Sequence, residues 1–541
     1  FRRVLYTLLA AVGLLLLIAC CNVANMLLAR ATAREREMTV RAALGASRAR
    51  IVRQLLVESF LLAAAGCLAG CLIAWGGIAA LVRAMPRQNV PWETEIALDG
   101  PVLAFAVGTA ALSAIVFGLL PALHAARRDV LPGLRQAGKG TSGGARHGRV
   151  RNGLVVAQVA LSLVLLLGAG LLMRTFLALV RADLGFDPAR IVTVPVAFAP
   201  GTYTDASDRH RFFRQALQSV AAVPGVEAVA ASNGTPPFGA LRSGLEIGGV
   251  PAPAADEVFV RLCSEGFMPL LGLRLQRGRG LSEADVVQVR RVAVVNQTFA
   301  RRYFPGRDPI GERFTVVRMR TLPEPVADPV FEIVGVMRDV ANTGVRSAPA
   351  PEALVPSTTA AGGRLIVARV GPQAAPSLDA LRRAIWAVDH GVGLTDGIRL
   401  EDAVERSFYA QPRFTLIILA AFAAIGLLLV SLGVYGVLAY AVSRQTQEIA
   451  VRMALGAGRG EVLSLVLRTG LKLIVAGVIV GLAASAGTNR LITSQLWNTS
   501  PYDPATVLAA VVVIAAVGLA ACYVPAARAL RVDPMAALRV E

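Results

Sequence analysis

Seven apolar stretches, roughly residues 5–28, 55–82, 102–126, 153–176, 414–442, 463–486 and 506–526, constrain this chain more than any other feature. Each is long enough to cross a bilayer as a helix, which takes about 20 residues. In lipid a helix satisfies its own backbone polar groups, so it is the form such blocks must take. The first block is too long for a leader's apolar region and runs into Ala29-Arg30 and further charge. It reads as a span, and the chain, which opens on Phe1, reads as a fragment cut just before a membrane helix. Composition agrees: of 541 residues 55% are hydrophobic and 17% charged, where an average soluble domain is about a quarter charged. A single soluble globule and a disordered chain are both excluded.

The net charge of +19 would suit nucleic acid, but its distribution argues against that partner. Aromatic residues are 6% of the chain, too few for a base-stacking platform. The basic residues crowd into alternate short loops. Loop 29–54 holds Arg30, Arg34, Arg36, Arg41, Arg48, Arg50 and Arg53, and loop 127–151 holds Arg127, Arg128, Arg135, Lys139, Arg146, Arg149 and Arg151. Loop 443–462 holds Arg444, Arg452 and Arg459, and the tail holds Arg528, Arg531 and Arg539. Loops 83–101 and 487–505 carry Glu93, Glu95, Asp99 and Asp503 instead. Basic excess in short loops marks the cytoplasmic side. The topology expected is seven spans, the tail inside, and residues 177–412 outside.

The chain also repeats itself. Glu37-Met-Thr-Val-Arg41-Ala-Ala-Leu44-Gly45-Ala46 returns as Glu448-Ile-Ala-Val-Arg452-Met-Ala-Leu455-Gly456-Ala457, 411 residues later. The same offset matches Arg2 with Arg413, Gly66 with Gly477 and Gly70 with Gly481. After a seven-residue adjustment Asp99 meets Asp503, and Pro121 meets Pro525. Residues 1–135 and 413–541 are thus two versions of one three-helix module in the same orientation, expected to form a pseudo-dimer within one chain. A linker, 136–152, and one further span, 153–176, separate the first module from the external segment. Gly66, Gly70, Gly477 and Gly481 are candidate helix-packing positions, since small residues four apart let helix backbones approach. The repeated cytoplasmic segments read as short amphipathic helices closed by glycine, with Glu37/Arg41 and Glu448/Arg452 spaced for i,i+4 pairing. Such a helix either lies on lipid or docks a cytoplasmic partner.

Residues 177–412 alternate extended runs (191–198, 226–231, 257–262, 291–295, 331–336, 365–370) with helical ones (208–223, 296–304, 377–388, 400–409). A mixed α/β domain with two lobes is expected, with Asp208 and Ser377 as helix caps.

No motif in the chain carries chemistry. Gly133-Leu-Arg-Gln-Ala-Gly138-Lys139-Gly140 lacks the hydroxyl residue of a phosphate loop, and a membrane helix precedes it where a strand should. Gly140-Thr-Ser142-Gly143-Gly144 likewise lacks the strand of a nucleophile elbow and reads as linker. His124, His147, His210 and His390 are scattered, with His210 and His390 expected in solvent. Cys20, Cys21, Cys67, Cys71 and Cys522 lie in apolar blocks and read as small packing residues; Cys263 stands alone in the external segment. Glu58, Arg468 and Lys472 sit at cytoplasmic ends of spans, where snorkelling or a pair between the halves would account for them. The chain is read as no enzyme, with neither a metal nor a cofactor of its own.

Arg34-Glu35-Arg36-Glu37-x-x-x-Arg41-Ala-x-Leu44-Gly45-Ala46 and its echo 447–457 resemble the cytoplasmic helix of the MacB/FtsX-like permeases, the membrane subunits of a class of ABC systems. The run Val292-Ala-Val-Val-Asn296-Gln-Thr-Phe-Ala-Arg301-Arg-Tyr-Phe304-Pro305-Gly306-x-Asp308-Pro309-Ile310-Gly311, then Ile333-Val-Gly335-Val336-x-x-Asp339-Val340, is similar to that family's periplasmic core domain. The tail from Pro525 to Arg539 is similar to its closing segment. The family's unit is one helix, a periplasmic domain and three helices. Residues 153–541 resemble one such unit and 1–135 the last three helices of another, as in the duplicated permeases of acidobacteria, with a first helix and first periplasmic domain missing.

The resemblance implies a mostly α-helical polytopic protein of the inner membrane with a mixed α/β periplasmic domain between two helices. It implies a separate cytoplasmic ATPase that binds the ATP and docks on Glu37, Arg41, Leu44, Gly45, Glu448, Arg452, Leu455 and Gly456. A periplasmic adaptor is a further implied partner. The function implied is export or efflux by mechanical transmission across the bilayer. The alternative reading is signalling, in which the same helices sense a ligand or control a periplasmic enzyme without transport.

Overall fold

Helices form where the apolar blocks lie, because a long apolar run buries its backbone polar groups only in helical form. A computed structural model describes residues 2–33, 48–84, 98–126, 144–199, 201–203, 205–252, 257–360, 364–372, 376–454, 458–493 and 495–529. The long helices are α1 (Arg2–Ala33), α2 (Arg48–Ala84), α3 (Gly100–Ala126), α4 (Gly144–Val180), α5 (Ala410–Ala454), α6 (Arg459–Thr493) and α7 (Pro504–Ala529). Six stretches are long and apolar enough to cross a membrane: Val4–Met26, Val57–Ala79, Gly148–Val180, Leu400–Ser443, Leu463–Gly487 and Pro504–Arg528. In α3 the described apolar stretch is shorter, Gly100–Ile115.

The repeat is visible in where helices begin. α2 starts at Arg48 and α6 at Arg459, 411 residues apart, and α3 and α7 start one residue after Asp99 and Asp503. Both aspartates cap their helices the same way. Asp99 Oδ1 accepts from Val102 N at 3.0 Å and Asp503 Oδ2 from Thr506 N at 2.8 Å, filling one of the helix's orphan donors.

The chain divides into two compact units, Phe1–Phe176 with Arg413–Glu541, and Leu177–Pro412. In the first, α4, α5, α6 and α7 share one apolar core that includes Val159, Leu163, Val434, Ile474 and Ile514. A second core joins α1, α4 and α5 through Ala11, Ile18, Leu165, Leu416 and Leu419.

The second unit holds fourteen described strands in one mixed sheet. They are β1 (Ile191–Ala197), β2 (Val226–Ser232), β3 (Leu241–Ser243), β4 (Leu245–Ile247), β5 (Val250–Pro251), β6 (Val258–Cys263), β7 (Leu275–Gly278), β8 (Val292–Asn296), β9 (Arg313–Val316), β10 (Val330–Met337), β11 (Glu352–Pro356), β12 (Arg364–Val370), β13 (Gly393–Leu394) and β14 (Ile398–Arg399). The order is β13-β1-β12-β2-β6-β11-β8-β10-β9-β4-β5, with β14 on β1, β3 on β6 and β7 on β10. Only β6–β11 and β8–β10 pair in parallel among the described strands.

The expected two lobes share this one sheet. Each end has its own core, Val192, Phe212, Phe213 and Ile366 at one and Phe299, Phe314, Phe331 and Ile333 at the other. The helix Ala206–Ala221 is capped by Asp205, not Asp208, which sits in its first turn. Asp205 is extended, with φ −86° and ψ 140°, as a cap must be and a helical Asp208 cannot. Ser377 caps Leu378–Trp386 as expected.

Candidate functional site

Glu37, Arg41, Leu44 and Gly45 lie outside the described residues, as do Leu455 and Gly456. Glu448 and Arg452 fall in the last turns of α5, which ends at Ala454. Their backbone is therefore continuous with the span itself rather than a separate helix lying apart from it.

The glycine candidates divide by neighbour. A Cβ on Gly477 would stand 2.5 Å from Val159 Cβ, and one on Gly481 would stand 2.9 Å from the Ala160 carbonyl oxygen. Both glycines let α6 close on α4. Gly66 and Gly70 have no described atom within 4 Å of that position. The sequence makes the two pairs look equal; the structure gives only the second a packing partner among the described residues.

α4 is held to the second repeat near both ends by arginines. Near the N-terminal end Arg151 is buried; its Nη2 donates to the Val437 carbonyl at 3.1 Å, and its guanidinium lies 4.0 Å from the Tyr440 ring centroid. Near the other end Arg174 pairs with Asp503, the cap of α7. A charged side chain in or near lipid is costly unless paired, so these contacts fix α4 to α5 and α7.

Between these ends α1, α4 and α5 meet at a polar junction. Asn22 Nδ2 donates to the Leu429 carbonyl at 2.8 Å. Gln158, fully buried, lies against Gly433, and Ser162 lies against Gly426. The sequence reading passed over Asn22 and Gln158 because it searched the spans for charge. A polar amide inside an apolar block, 5–28 for one and 153–176 for the other, was the available signal.

Cysteines pack as expected in the helices: Cys20 Sγ lies 3.7 Å from Ser113 Oγ across α1 and α3, and Cys522 is buried beneath Gly470. Glu58 accepts from Gln54 one turn earlier, and Arg468 and Lys472 lie on the exposed side of α6.

In the second unit the motif at 292–340 is a folding device. Asn296 ends β8 and caps the helix Gln297–Tyr303, its Oδ1 accepting from Phe299 N at 3.0 Å. The same oxygen accepts from Glu352 N at 2.9 Å, and Nδ2 donates to the Ala350 carbonyl at 2.9 Å. Asp339 accepts from Thr298 N and Oγ1 at 2.8 and 2.9 Å and from Arg301 at 2.8 Å. One asparagine and one aspartate thus join a helix start to β10 and β11.

Beneath them Arg261 and Glu352 form an ion pair at 2.9 Å, their side chains 0% and 1% exposed. Asn342 Nδ2 donates to the other carboxylate oxygen at 3.0 Å, and Arg261 Nη1 donates to the Phe238 carbonyl at 2.9 Å.

Among the shifted titrations in this unit are those of Arg364, His210 and Asp285. Burial, with the Arg209 guanidinium nearby, brings the Arg364 pKa down to about 10. Burial and Arg214 lower that of His210, which is half-buried rather than solvated, because its helix packs onto the sheet. Burial would raise Asp285, but hydrogen bonds from Arg279 and Ser282 outweigh it and hold the carboxyl at about 2. His210 and Arg364 feel each other's charge, while Asp285 is held in its own capping contact.

The FtsX-like permease C-terminal family matches the chain twice, over residues 9–130 and 420–534, and the MacB-like periplasmic core domain matches residues 153–387. An uncharacterised ABC transporter permease, YknZ of Bacillus subtilis (strain 168), is 27% identical over 286 residues, which is 51% of this chain and 69% of YknZ. The macrolide export ATP-binding/permease protein MacB of Azoarcus sp. (strain BH72) is 30% identical over 273 residues, 49% of this chain and 40% of that protein. The MacB protein of Paracoccus denitrificans (strain Pd 1222) is 26% identical over 283 residues, 51% of this chain and 41% of its own length. The chain thus spans about two fifths of the MacB relatives it matches. Among solved structures, the periplasmic region of MacB from Actinobacillus actinomycetemcomitans matches at a TM-score of 0.29 and 15% identity, over 40% of this chain and 92% of that one. The extracellular domain of a YknZ from Gram-positive bacteria matches at 0.25 and 14%, over 38% and 97%. On the two family matches, which fall on the two copies of the repeat and on the segment between them, this chain belongs to the FtsX-like permease family and carries a MacB-like periplasmic core domain.

Proposed function

We propose that this protein is the membrane subunit of an ABC export system, carrying motion from a separate cytoplasmic ATPase to its periplasmic domain. The observation that carries the reading is α5. It is one unbroken helix of 45 residues, Ala410–Ala454, running from the end of the external unit through Glu448 and Arg452. At 1.5 Å per residue it is about 67 Å long, roughly twice the thickness of a bilayer's hydrocarbon core. A rod of that length transmits a push at its cytoplasmic end without a hinge. Arg151 and Arg174 tie α4 to α5 and α7, so the two helices flanking the external unit would move together.

The finer reading places seven spans in the inner membrane with 177–412 in the periplasm. The ATPase docks on 37–46 and 448–457, and an adaptor meets the periplasmic domain. The two repeats form a pseudo-dimer, supported by the contact of α1 with α5 at the polar junction. The MacB relatives are named for macrolide export; that supports export as the direction of transport here.

The test is Arg41→Glu together with Arg452→Glu, in the full chain co-purified with its ATP-binding subunit. Breaking an exposed i,i+4 pair costs about 0.3–0.5 kcal/mol, so expression and membrane insertion should stay normal while stimulation of the ATPase is lost. Stimulation at the wild-type level would refute the coupling role and leave signalling without transport as the better reading.

A further inference from the structure

We infer that Asn22 and Gly433 are a matched pair that makes the first repeat associate with the second inside one chain, rather than either repeat with its own kind. The inference rests on the pseudo-dimer reading and names the residues that specify it.

The two positions are equivalents in the repeat, 411 residues apart, as are Leu15 with Gly426 and Ile18 with Leu429. They are also neighbours in space. Asn22 Oδ1 lies 3.0 Å from where a Cβ on Gly433 would stand, and Asn22 Nδ2 donates to the carbonyl of Leu429 at 2.8 Å. Ile18 Cδ1 lies 3.7 Å from where a Cβ on Gly426 would stand. Contact between equivalent positions is what a twofold pairing produces along its axis.

The pairing is not symmetric in chemistry. At two positions seven apart, α5 has glycine where α1 has Leu15 and Asn22. The room is used from both sides. Asn22 and the buried Gln158 amide meet over Gly433; Ile18 and Ser162, its Oγ 3.2 Å from the built Cβ, meet over Gly426. α1 supplies the projections, α5 the recesses, and α4 fills what remains.

Self-pairing would spoil this fit. Two copies of α1 would set Asn22 against Asn22 with no glycine recess to take either side chain. Two copies of α5 would set Gly433 against Gly433 with no projecting side chain to match the recess. Close packing is gained only where small residues face something that fills the space they leave. Specificity then follows from the misfit of the wrong pairs as much as from the fit of the right one.

The test uses the full chain in lipid nanodiscs with its six native cysteines replaced and cysteines placed by Ile18→Cys and Leu429→Cys, repeat equivalents within one packed cluster. Oxidation gives a product of monomer mass when the repeats pair within a chain and of dimer mass when they pair between chains. In this parent the monomer-mass product should dominate. Asn22→Gly and Gly433→Asn should each cut it several-fold with a matching rise of dimer-mass product. Combining Asn22→Gly, Gly433→Asn and Gln158→Ala moves the projection to α5, clears the amide beside it, and should restore the monomer-mass product. If the parent cross-links only between chains, the pseudo-dimer reading falls and takes this inference with it. If the parent cross-links within the chain and the single variants behave like it, the pseudo-dimer stands and the matched pair is refuted. Loss of the monomer-mass product with no gain at dimer mass, or no recovery in the triple variant, also overturns it.

Discussion

Glu352→Gln should destabilise the external domain severely, and Arg261→Met added to it should restore part of what was lost. Glu352 and Arg261 are both fully buried and 2.9 Å apart. Glutamine keeps the shape of the side chain, the acceptor for Asn342 and the backbone hydrogen bond to Asn296. It removes the negative charge and turns the oxygen that faces Arg261 Nε into an NH2 donor. The guanidinium is then left charged with no counter-ion, and its Nη2 already has no hydrogen-bond partner among the described residues. Removing one partner of a buried pair costs about 3–5 kcal/mol. The double variant has no buried charge and orphans chiefly the Phe238 carbonyl, at about 1–3 kcal/mol. The second substitution should therefore raise stability by about 2 kcal/mol over the first, the difference of those two costs. Urea unfolding of the full chain in nanodiscs, read by proteolysis of 177–412, measures this. At about 3 kcal/mol per M the single variant shifts the midpoint down by 1 M or more. A shift under about 0.3 M, or a double variant less stable than the single, would show that the stranded charge is not what makes the pair matter.

Gly477→Val should destabilise the membrane unit by about 1–3 kcal/mol through overpacking, since its side chain would overlap Val159; Gly66→Val should leave thermal unfolding unchanged, having no atom of the described residues within 4 Å of a built Cβ. Asp285, held at about 2 against an ordinary 3.8, contributes stability that is complete above pH 3.8 and lost as pH falls through about 2. Asp285→Asn should therefore flatten the acid side of the domain's stability profile in that window, measured by unfolding at stepped pH. A cysteine at Arg307 should react with an impermeant thiol reagent on intact cells and one at Arg146 should not; the reverse would invert the topology.

Some of this was legible because it is local. The apolar blocks became helices, since length and hydropathy alone decide that in lipid. The six extended runs of the external segment became strands, Ile191–Ala197 and Val330–Met337 among them, because a short β-branched run between turn residues has few other uses. Ser377 capped its helix for the same kind of reason. Asp208 shows the limit: Asp205 and Asp208 are both good caps, and which one starts the helix depends on where the preceding turn leaves the chain.

What the sequence determined by itself is the repeat, the spans and the motifs, all readable from spacing along one chain. Only the tertiary structure decided what each motif residue touches. Asn296 looked like part of a family signature; folded, its side chain serves the helix next to it and also Ala350 and Glu352, more than fifty residues away. Gly66 and Gly477 are the same letter at the same place in two copies of one module, yet only Gly477 has α4 against it. Periodicity fixes which face of a helix is apolar or small, because that is set by 3.6 residues per turn. It says nothing of the neighbour, because the neighbour comes from a distant part of the chain, and it is the neighbour that turns Asn22, Gln158 and Gly433 into one junction.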